Sequence, residues 1–237
     1  MEHQYIYIDS VDSTNNYAKS VKNLSGGQLT VLRAGRQTGG RGRGDHRFFS
    51  DHAGGLWASI ITPISDISAH FEHNRAISLA ILESLKGTAG SSAPITIKWP
   101  NDIYWGDRKI TGILLENVPD NPDVMVIGFG INVNIGANDF PDYLRGAVTS
   151  VLIETGREAP QDRMLEDIVN GYRQYLNSDD QAIVHKIYSG NLYRRGHRAT
   201  VGSHTGKFIT VEIDGRLRLE TGHGDVLCSS GTLLFNG

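Results

Sequence analysis

Cysteine is almost absent from this chain, which has a single one, Cys228, among 237 residues. One cysteine can form neither an intrachain disulfide nor a cysteine metal cluster, so we expect a reducing compartment, the cytoplasm by default. Long apolar runs are also missing: the longest, from 124 to 135, is interrupted by glycines and asparagines and is too short to span a bilayer. The first nine residues, MEHQYIYID, have no charged segment followed by an apolar one, so no signal peptide is expected.

An excess of charge of one sign is missing as well. Lysine and arginine total 23 against 26 aspartates and glutamates, for a net charge of -3. The total charge therefore gives no reason to expect DNA, RNA or an anionic membrane as a partner, and any positive site must be local. Hydrophobic residues make up 39% of the chain, which is typical of a globular protein. Its length is sufficient for one large and one small domain.

Glycine, in contrast, is abundant: 28 residues, about 12% of the chain, against roughly 7% in average proteins. Many backbone positions must therefore turn sharply or approach another group closely. Several of these glycines lie in QTGGRGRGDHRFFSDHAGG, an aperiodic stretch between two apolar runs. Loops of this length in compact domains are usually functional.

The hydrophobic pattern predicts a strand-rich chain with a few helices. The predicted strands are Tyr5–Asp9, a run from Leu29, LWASIIT, ITIKWP, NDIYW, KITGILLEN and residues 123–134. The predicted helices follow Asp12–Thr14, run from Asn74 through Leu85 with Gly87 at the end, and extend from Asp162 to Leu176. After Gly190, five short extended stretches predict a small barrel-like unit with its boundary near Ser189. We therefore expect domains at 1–189 and 190–237.

The glycine- and arginine-rich loop is the first candidate for chemistry. GGRGRG lacks the lysine and hydroxyl of a P-loop, and Asp45 breaks the GxGxxG register. GSHTGK at 202–207 is one residue short of a P-loop. Arg41 and Arg43 on either side of Gly42 remain, a pattern suited to neutralising a phosphate. A solvated basic loop and an RNA-binding patch are the alternatives.

The second candidate is KWPNDIYWGDRKITG at 98–112. Pro100 restricts the backbone before Asn101 and Asp102, whose carboxamide and carboxylate suit a hydrated magnesium ion or a general base. An Asx turn between strands is the alternative for this dipeptide. Lys109 lies within an apolar strand pattern, where an unpaired ammonium is costly, so this lysine requires an anion.

Other side chains give weaker indications. The histidine pairs His70 with His73 and His46 with His52 lack a third ligand at a convincing spacing, so we expect no histidine metal site. Ser13 is not in a GxSxG context and lies at a predicted helix start, so it is not expected to be a nucleophile.

Four motifs, DSTNNYAK, RQTGGRGR, KWPNDIYWGDRKITGILLEN and GFGINVN, occur in this order and together resemble biotin protein ligases. The resemblance covers about residues 7–192. It implies an α+β fold, a mixed β sheet with helices on one side as in class II aminoacyl-tRNA synthetases, followed by a small SH3-like barrel. It also implies a two-step reaction. Biotin and MgATP give biotinyl-5'-AMP and pyrophosphate, and a lysine of a biotin carboxyl carrier domain then attacks the mixed anhydride.

The resemblance also assigns roles to individual residues. It implies biotin binding by Ser13, Thr14, Asn15, Gln37, Gly40, Arg41, Gly42, Arg43, Lys109, Gly112, Gly128 and Gly130, the last three leaving space for the biotin ring and tail. It implies ATP binding by Arg41, Arg43, Asn101, Asp102, Lys109 and Asn132, with magnesium at Asn101 and Asp102. Lys109 would contact the biotin carboxylate and the α-phosphate, Arg43 would close over the adenylate, and Asp102 would guide or deprotonate the incoming lysine.

The chain departs from the family pattern in two regions. GDHRFF replaces the usual RGxxW, so Phe48 lies where tryptophan is usual. Near the C-terminus, Thr232 follows Gly231 in place of glutamate, and Asn236 replaces an arginine near ATP. The catalytic pattern begins near residue 7, so we expect a monofunctional ligase without a DNA-binding domain.

Two other functions remain open at this stage. Lipoate ligases and octanoyltransferases have a related fold and also acylate a carrier lysine, but their RRxxGGGxVxH loop is missing from this sequence. A non-catalytic RNA-binding module is disfavoured by the net charge and by the lack of aromatic residues between the arginines of the loop.

Overall fold

The computed structural model describes residues 3–21, 29–64 and 69–235, which form two β sheets and five α helices. The larger sheet contains β1 (His3–Val11), β2 (Leu29–Gln37), β3 (Gly55–Pro63), β4 (Ile95–Lys98), β5 (Asp102–Trp105), β6 (Arg108–Val118) and β7 (Asn121–Asn132). The smaller sheet contains β8 (Arg198–Val201), β9 (His204–Val211), β10 (Leu217–Thr221), β11 (Gly224–Cys228) and β12 (Leu233–Phe235). The helices are α1 (Thr14–Ser20), α2 (His70–Ala89), α3 (Val151–Thr155), α4 (Gln161–Leu176) and α5 (Gln181–Gly190).

The larger sheet has the strand order β1-β2-β3-β7-β6-β5-β4. β1 and β2 are parallel and the other neighbouring strands are antiparallel, so the sheet is mixed, as expected. The strands predicted at ITIKWP, NDIYW and KITGILLEN form an antiparallel meander, because β4, β5, β6 and β7 pair consecutively. The predicted strand at 123–134 is displaced by two residues and ends at Asn132.

The two faces of this sheet are covered by different helices. Leu56, Ala58 and Ile60 of β3 belong to the main hydrophobic core, together with residues of α2 and α4; we term this the packed face. The alternate residues of β3 lie on the opposite side, where Ile61 packs with Ala18 of α1; we term this the site face. The expectation of helices on one side therefore holds for α2 and α4 and is wrong for α1.

The helix bounds differ from the prediction in one instructive case. The helix predicted from Asn74 to Leu85 extends from His70 to Ala89 and continues through Gly87. Gly87 is exposed, where a helical glycine costs only about 1 kcal/mol, whereas Gly90, with φ of 104°, ends the helix. The Asn74 amide is not a cap but donates to the Pro100 carbonyl at 3.1 Å. None of the helices in the described ranges is long and apolar enough to cross a membrane.

The smaller sheet has the order β11-β10-β9-β8-β12, and its strands match the five stretches predicted after Gly190. It packs on the larger sheet, since the Trp99 indole donates to the Gly215 carbonyl at 3.0 Å. Gly215 has φ of 90°, and a Cβ there would lie 2.5 Å from the Phe71 ring, so this contact requires glycine. Residues of both sheets share one hydrophobic core. The division at residue 189 stays a prediction.

Candidate active site

A cavity of about 820 Å³ lies on the site face, between the loop that follows β2 and the last strand of the smaller sheet. This volume is in the range of small-molecule sites. The predicted residues that line it are Ser13, Thr14, Asn15, Gln37, Arg41, Gly42, Arg43, Asn101, Asp102, Lys109, Gly112, Gly128 and Gly130. The fold thus brings together residues of four separated motifs. Gly40 and Asn132 do not line the cavity.

The floor of the cavity is one row of residues across the larger sheet. Trp57 pairs with Gly130, Gly130 with Gly112, and Gly112 with Asp102. Lys98 completes the row, because it pairs with Asp102. Residues directly opposite each other on neighbouring strands project from the same face of a sheet. The row therefore begins at the buried Trp57, passes two glycines that line the cavity, and ends at a carboxylate and an ammonium.

A buried network of uncharged polar groups forms one end of the cavity. The Thr14 backbone amide and hydroxyl donate to Gln37 Oε1 at 2.7 and 3.0 Å. Ser59 Oγ lies 2.7 Å from both Thr14 Oγ1 and Asn15 Oδ1. Ser13 occupies the N-cap of α1, but its hydroxyl makes no capping hydrogen bond and lines the cavity instead. Satisfied networks of this kind fix their donors and acceptors in place.

Ser59 was missed by the sequence analysis, which treated LWASIIT only as an apolar strand. A hydroxyl in a buried strand requires a partner, and that requirement was the available signal. Ser59 has no exposed surface and pairs across the sheet with Gly128.

Glu116 is a second residue that the sequence analysis missed. It accepts from Asn15 Nδ2 at 2.8 Å and from Lys19 Nζ at 2.6 Å, and it lies 3.1 Å from Arg41 Nη2. Burial alone would raise the pKa of Glu116, but the hydrogen bonds from Lys19 and Asn15 and the charge of Arg41 hold it below its usual value. Arg41 also donates to Asn16 Oδ1 at 2.7 Å, so this loop arginine is anchored to the sheet and to α1.

The three predicted glycines line the cavity, and a side chain added at any of them would meet protein atoms. A Cβ on Gly128 would collide with the Asn15 carboxamide, and one on Gly130 would collide with the Phe48 ring. A Cβ on Gly112 would lie 2.9 Å from the same ring. Phe48 packs edge-on against Trp57, with ring centres 5.9 Å apart. The glycines therefore make room for protein side chains, Asn15 and Phe48, which in turn shape the cavity.

The anion that Lys109 requires is Asp102. Lys109 Nζ lies 2.7 Å from Asp102 Oδ1 and 5.6 Å from the centre of the Phe48 ring. The Asn101 amide donates to the Ile113 carbonyl at 2.6 Å, so its side chain bridges to β6 rather than closing a local turn. A pair of opposite charges thus lies next to an aromatic ring, at the end of the floor row that contains Asp102.

The loop and the smaller sheet close the cavity. Arg43 Nη1 donates to the Gly231 carbonyl at 3.3 Å, and Gly231, Thr232 and Leu233 contribute to the lining. Thr232, one of the departures from the family pattern, is therefore part of the wall, whereas Asn236 lies outside the described residues.

The two predicted residues outside the lining have structural contacts. A Cβ on Gly40 would collide with Ser50 and with the Phe48 carbonyl, so glycine at this position lets the loop fold back on itself. Asn132 is buried and donates to the Thr149 carbonyl at 2.9 Å. Their roles toward biotin and ATP stay predictions.

Comparison with known proteins agrees with this arrangement. Residues 7–134 match the model of the biotin/lipoate A/B protein ligase family. The Bacillus subtilis bifunctional ligase/repressor BirA is 30% identical over 234 residues, which cover 94% of this chain and 71% of that protein. The biotin--[acetyl-CoA-carboxylase] ligase of Paracoccus denitrificans is 27% identical, over 95% of this chain and 98% of that protein. The structure of the Aquifex aeolicus biotin protein ligase in complex with biotin and ATP superimposes with a TM-score of 0.85, at 25% identity and 98% coverage of both chains.

The chain therefore belongs to the biotin/lipoate A/B protein ligase family. Within this family its relatives include proteins named biotin--[acetyl-CoA-carboxylase] ligase, and its structural neighbours include biotin protein ligases. The enzyme class expected from the four motifs is thereby confirmed.

Proposed function

We propose that this protein attaches biotin to one lysine of a biotin carboxyl carrier domain, with ATP as co-substrate and biotinyl-5'-AMP as intermediate. One observation carries the proposal: a single cavity has the hydroxyl and amide side chains of Thr14, Asn15 and Gln37 at one end and the Lys109–Asp102 pair at the other. Biotin has the same polarity, with a neutral ureido ring at one end and a carboxylate at the other.

The network end suits the head group of biotin. Thr14, Asn15 and Gln37 are each at most 8% exposed and supply hydroxyl and amide groups without net charge. A neutral ureido group exchanges its water for such donors and acceptors at little cost, whereas a charged group would lose hydration without compensation. Phe48, which packs edge-on against the buried Trp57, supplies apolar surface along which the aliphatic tail would lie.

Lys109 suits the first reaction step. A carboxylate oxygen of biotin attacks the α-phosphorus of ATP, and the bond from that phosphorus to the bridging oxygen of pyrophosphate breaks. Negative charge accumulates on the α-phosphate oxygens, and a fixed ammonium at this place stabilises it. Asp102 and Asn101 are the oxygen-bearing side chains that would hold the magnesium ion of MgATP, which typically keeps several waters and is shared with phosphate groups.

Asp102 suits the second step. The neutral amine of the carrier lysine attacks the carbonyl carbon of the anhydride, AMP leaves with the electron pair of the broken bond, and the nitrogen loses a proton. Asp102, adjacent to Lys109 on the cavity floor, would orient the amine or accept this proton. Arg43 would hold the loop against Gly231 over the reactive intermediate.

We also propose that residues 190–237 form an SH3-like barrel domain that completes the ATP site. The contribution of Gly231, Thr232 and Leu233 to the cavity wall supports this role.

Mass spectrometry of the purified protein after incubation with biotin and MgATP tests the function. We expect retained biotinyl-AMP, and transfer of biotin when a biotin carboxyl carrier domain is added. A carrier with its target lysine changed to arginine is the matched control and should stay unmodified. Incubation with lipoate and MgATP is the second arm. Activation of lipoate without activation of biotin would overturn the proposal.

A further inference from the structure

Lys98 lines the same cavity as Lys109, and none of the roles above uses it. Its ammonium donates to the Tyr104 hydroxyl at 3.3 Å and lies 4.9 Å from the centre of the Tyr104 ring. Among the described residues, no carboxylate lies within salt-bridge distance of Lys98, whereas Lys109 is paired with Asp102 at 2.7 Å. The direct contacts of the Lys98 ammonium are thus a neutral hydroxyl and a ring rather than a carboxylate.

The surroundings of Lys98 disfavour an ammonium without a nearby anion. Burial lowers the pKa of Lys98, the charge of Asp102 opposes this effect, and the positive charges of Lys109 and Arg194 add to it. Arg194 is itself paired with Asp107 at 3.0 Å. Positive charge therefore exceeds nearby negative charge at this end of the cavity, which favours an anionic ligand.

The position of Lys98 relative to Lys109 indicates which part of ATP it would meet. In the floor row, Lys98 lies one strand beyond Asp102, a spacing of about 4.8 Å, on the side away from Gly112 and Gly130. The acyl end of the cavity, with Phe48, is on the opposite side of Asp102. In phosphoryl and nucleotidyl transfer the attacking and leaving oxygens lie roughly in line on opposite sides of the phosphorus. With the biotin carboxylate entering from the Phe48 side, the leaving group points toward Lys98.

We propose that Lys98 is a catalytic residue that binds the β- and γ-phosphates of ATP and stabilises pyrophosphate as it leaves. The inference rests on the proposed function and adds a leaving-group residue to it. As the carboxylate oxygen bonds to the α-phosphorus, the electron pair of the breaking bond moves onto the bridging oxygen of pyrophosphate. The ammonium of Lys98 neutralises that charge, and no proton needs to transfer.

Three variants of the full chain test this role. Lys98→Met keeps the aliphatic stem over Tyr104 and removes the charge, and Lys98→Arg keeps the charge. Lys86→Met is the matched control: Lys86 is also half-buried, also bonds a neutral group, Asn191 Oδ1 at 3.0 Å, and does not line the cavity. Thermal unfolding of each variant checks that it is folded.

The measurements are titration calorimetry with inorganic pyrophosphate, single-turnover adenylation, and transfer from separately supplied biotinyl-AMP. We expect Lys98→Met to weaken pyrophosphate binding and to slow adenylation by about tenfold or more, while transfer changes by less than about twofold. Lys98→Arg should recover most of both losses, and Lys86→Met should behave as wild type.

Two results would overturn the role of Lys98: unchanged pyrophosphate binding and adenylation in a folded Lys98→Met variant, or equal slowing of adenylation and transfer. The second would show a structural role for the side chain. Failure of the proposed function gives a different result, because the wild-type protein would then bind pyrophosphate without any biotin-dependent exchange of pyrophosphate into ATP.

Discussion

The two faces of the larger sheet use the same strands for opposite purposes. On β7, Ile127 and Phe129 join the main core under α2 and α4, while the residues between and after them, Gly128 and Gly130, face the cavity. Large side chains on the packed face exclude water and stabilise the sheet. Glycines on the site face give up that packing and admit Asn15 and Phe48. Neighbouring residues of one strand point to opposite faces, so large side chains on one face can stabilise the fold while glycines on the other shape the binding site.

Polar groups show the same contrast. On the site face, hydroxyl, amide and charged groups are linked in a network that reaches from Gln37 to Glu116. On the packed face, His73 Nδ1 lies 2.6 Å from the Tyr172 hydroxyl, which donates to Thr62 Oγ1 at 3.4 Å. The three residues of that cluster are buried and do not line the cavity, so their contribution is to stability, whereas the network on the site face borders the cavity.

Ile127→Ala on the packed face should have the largest effect on stability. The side chain is fully buried, and truncation should lower the free energy of unfolding by about 2–5 kcal/mol. Urea unfolding measures the loss. The Michaelis constant for biotin of the fraction that remains folded should stay within about twofold of wild type. A large rise in this constant with little loss of stability would contradict the separation of the two faces.

Lys109→Gln on the site face should give the opposite result. The variant keeps the length of the side chain and loses its charge, so adenylation should slow by about a hundredfold or more. Transfer from supplied biotinyl-AMP should suffer less, because the anhydride is already formed. Single-turnover kinetics of both half-reactions measure how much each step is slowed. Transfer slowed as much as adenylation would remove Lys109 from the first step.

Gly128→Ala sharpens the comparison because this residue is the direct neighbour of Ile127. The added methyl group would displace the Asn15 carboxamide from Ser59 and Glu116. We expect the Michaelis constant for biotin to rise about tenfold, because one or two hydrogen bonds would be lost. The Michaelis constant for ATP should change less. Steady-state kinetics with each substrate varied decide the matter, and equal changes for both substrates would count against Asn15 as a biotin contact.

The smallest effect concerns pH and His73. Burial lowers the pKa of His73 to about 4 from 6.5. The unfolded chain therefore binds the proton first, and stability is full above pH 6.5 and decreases as the pH falls toward 4. As the pH falls from 7.5 to 5.5, protonation of His73 in the unfolded chain should lower the free energy of unfolding by about 1 kcal/mol.

His73→Gln is the control for this pH dependence, because glutamine can still bond the Tyr172 hydroxyl but does not titrate. His185, whose pKa burial also lowers, contributes with the same sign and remains in the variant. Urea unfolding at several pH values should therefore show a shallower decrease for His73→Gln, and an identical slope would exclude His73 as a source.

The sequence alone predicted most of the strands, because apolar alternation and turn residues act over a few positions. It also predicted that Lys109 requires an anion, and Asp102, seven residues earlier, is that anion. The helix end at Gly90 was missed because an exposed Gly87 does not stop a helix whose other side is buried. The motifs around Asn15, Arg41 and Lys109 contain many of the residues that line the cavity, whereas Ser59 and Glu116 were missed.

Only the tertiary structure decided what meets across the site face. Asn15 and Glu116 are 101 residues apart, and Ser59 and Thr14 are 45 apart, so no local pattern connects them. The placement of α1 on the site face and of Phe48 over two glycines likewise joins parts of the chain that are far apart in sequence. Local sequence determines which face of a strand a side chain takes, whereas its neighbour on that face is set by long-range pairing of the strands.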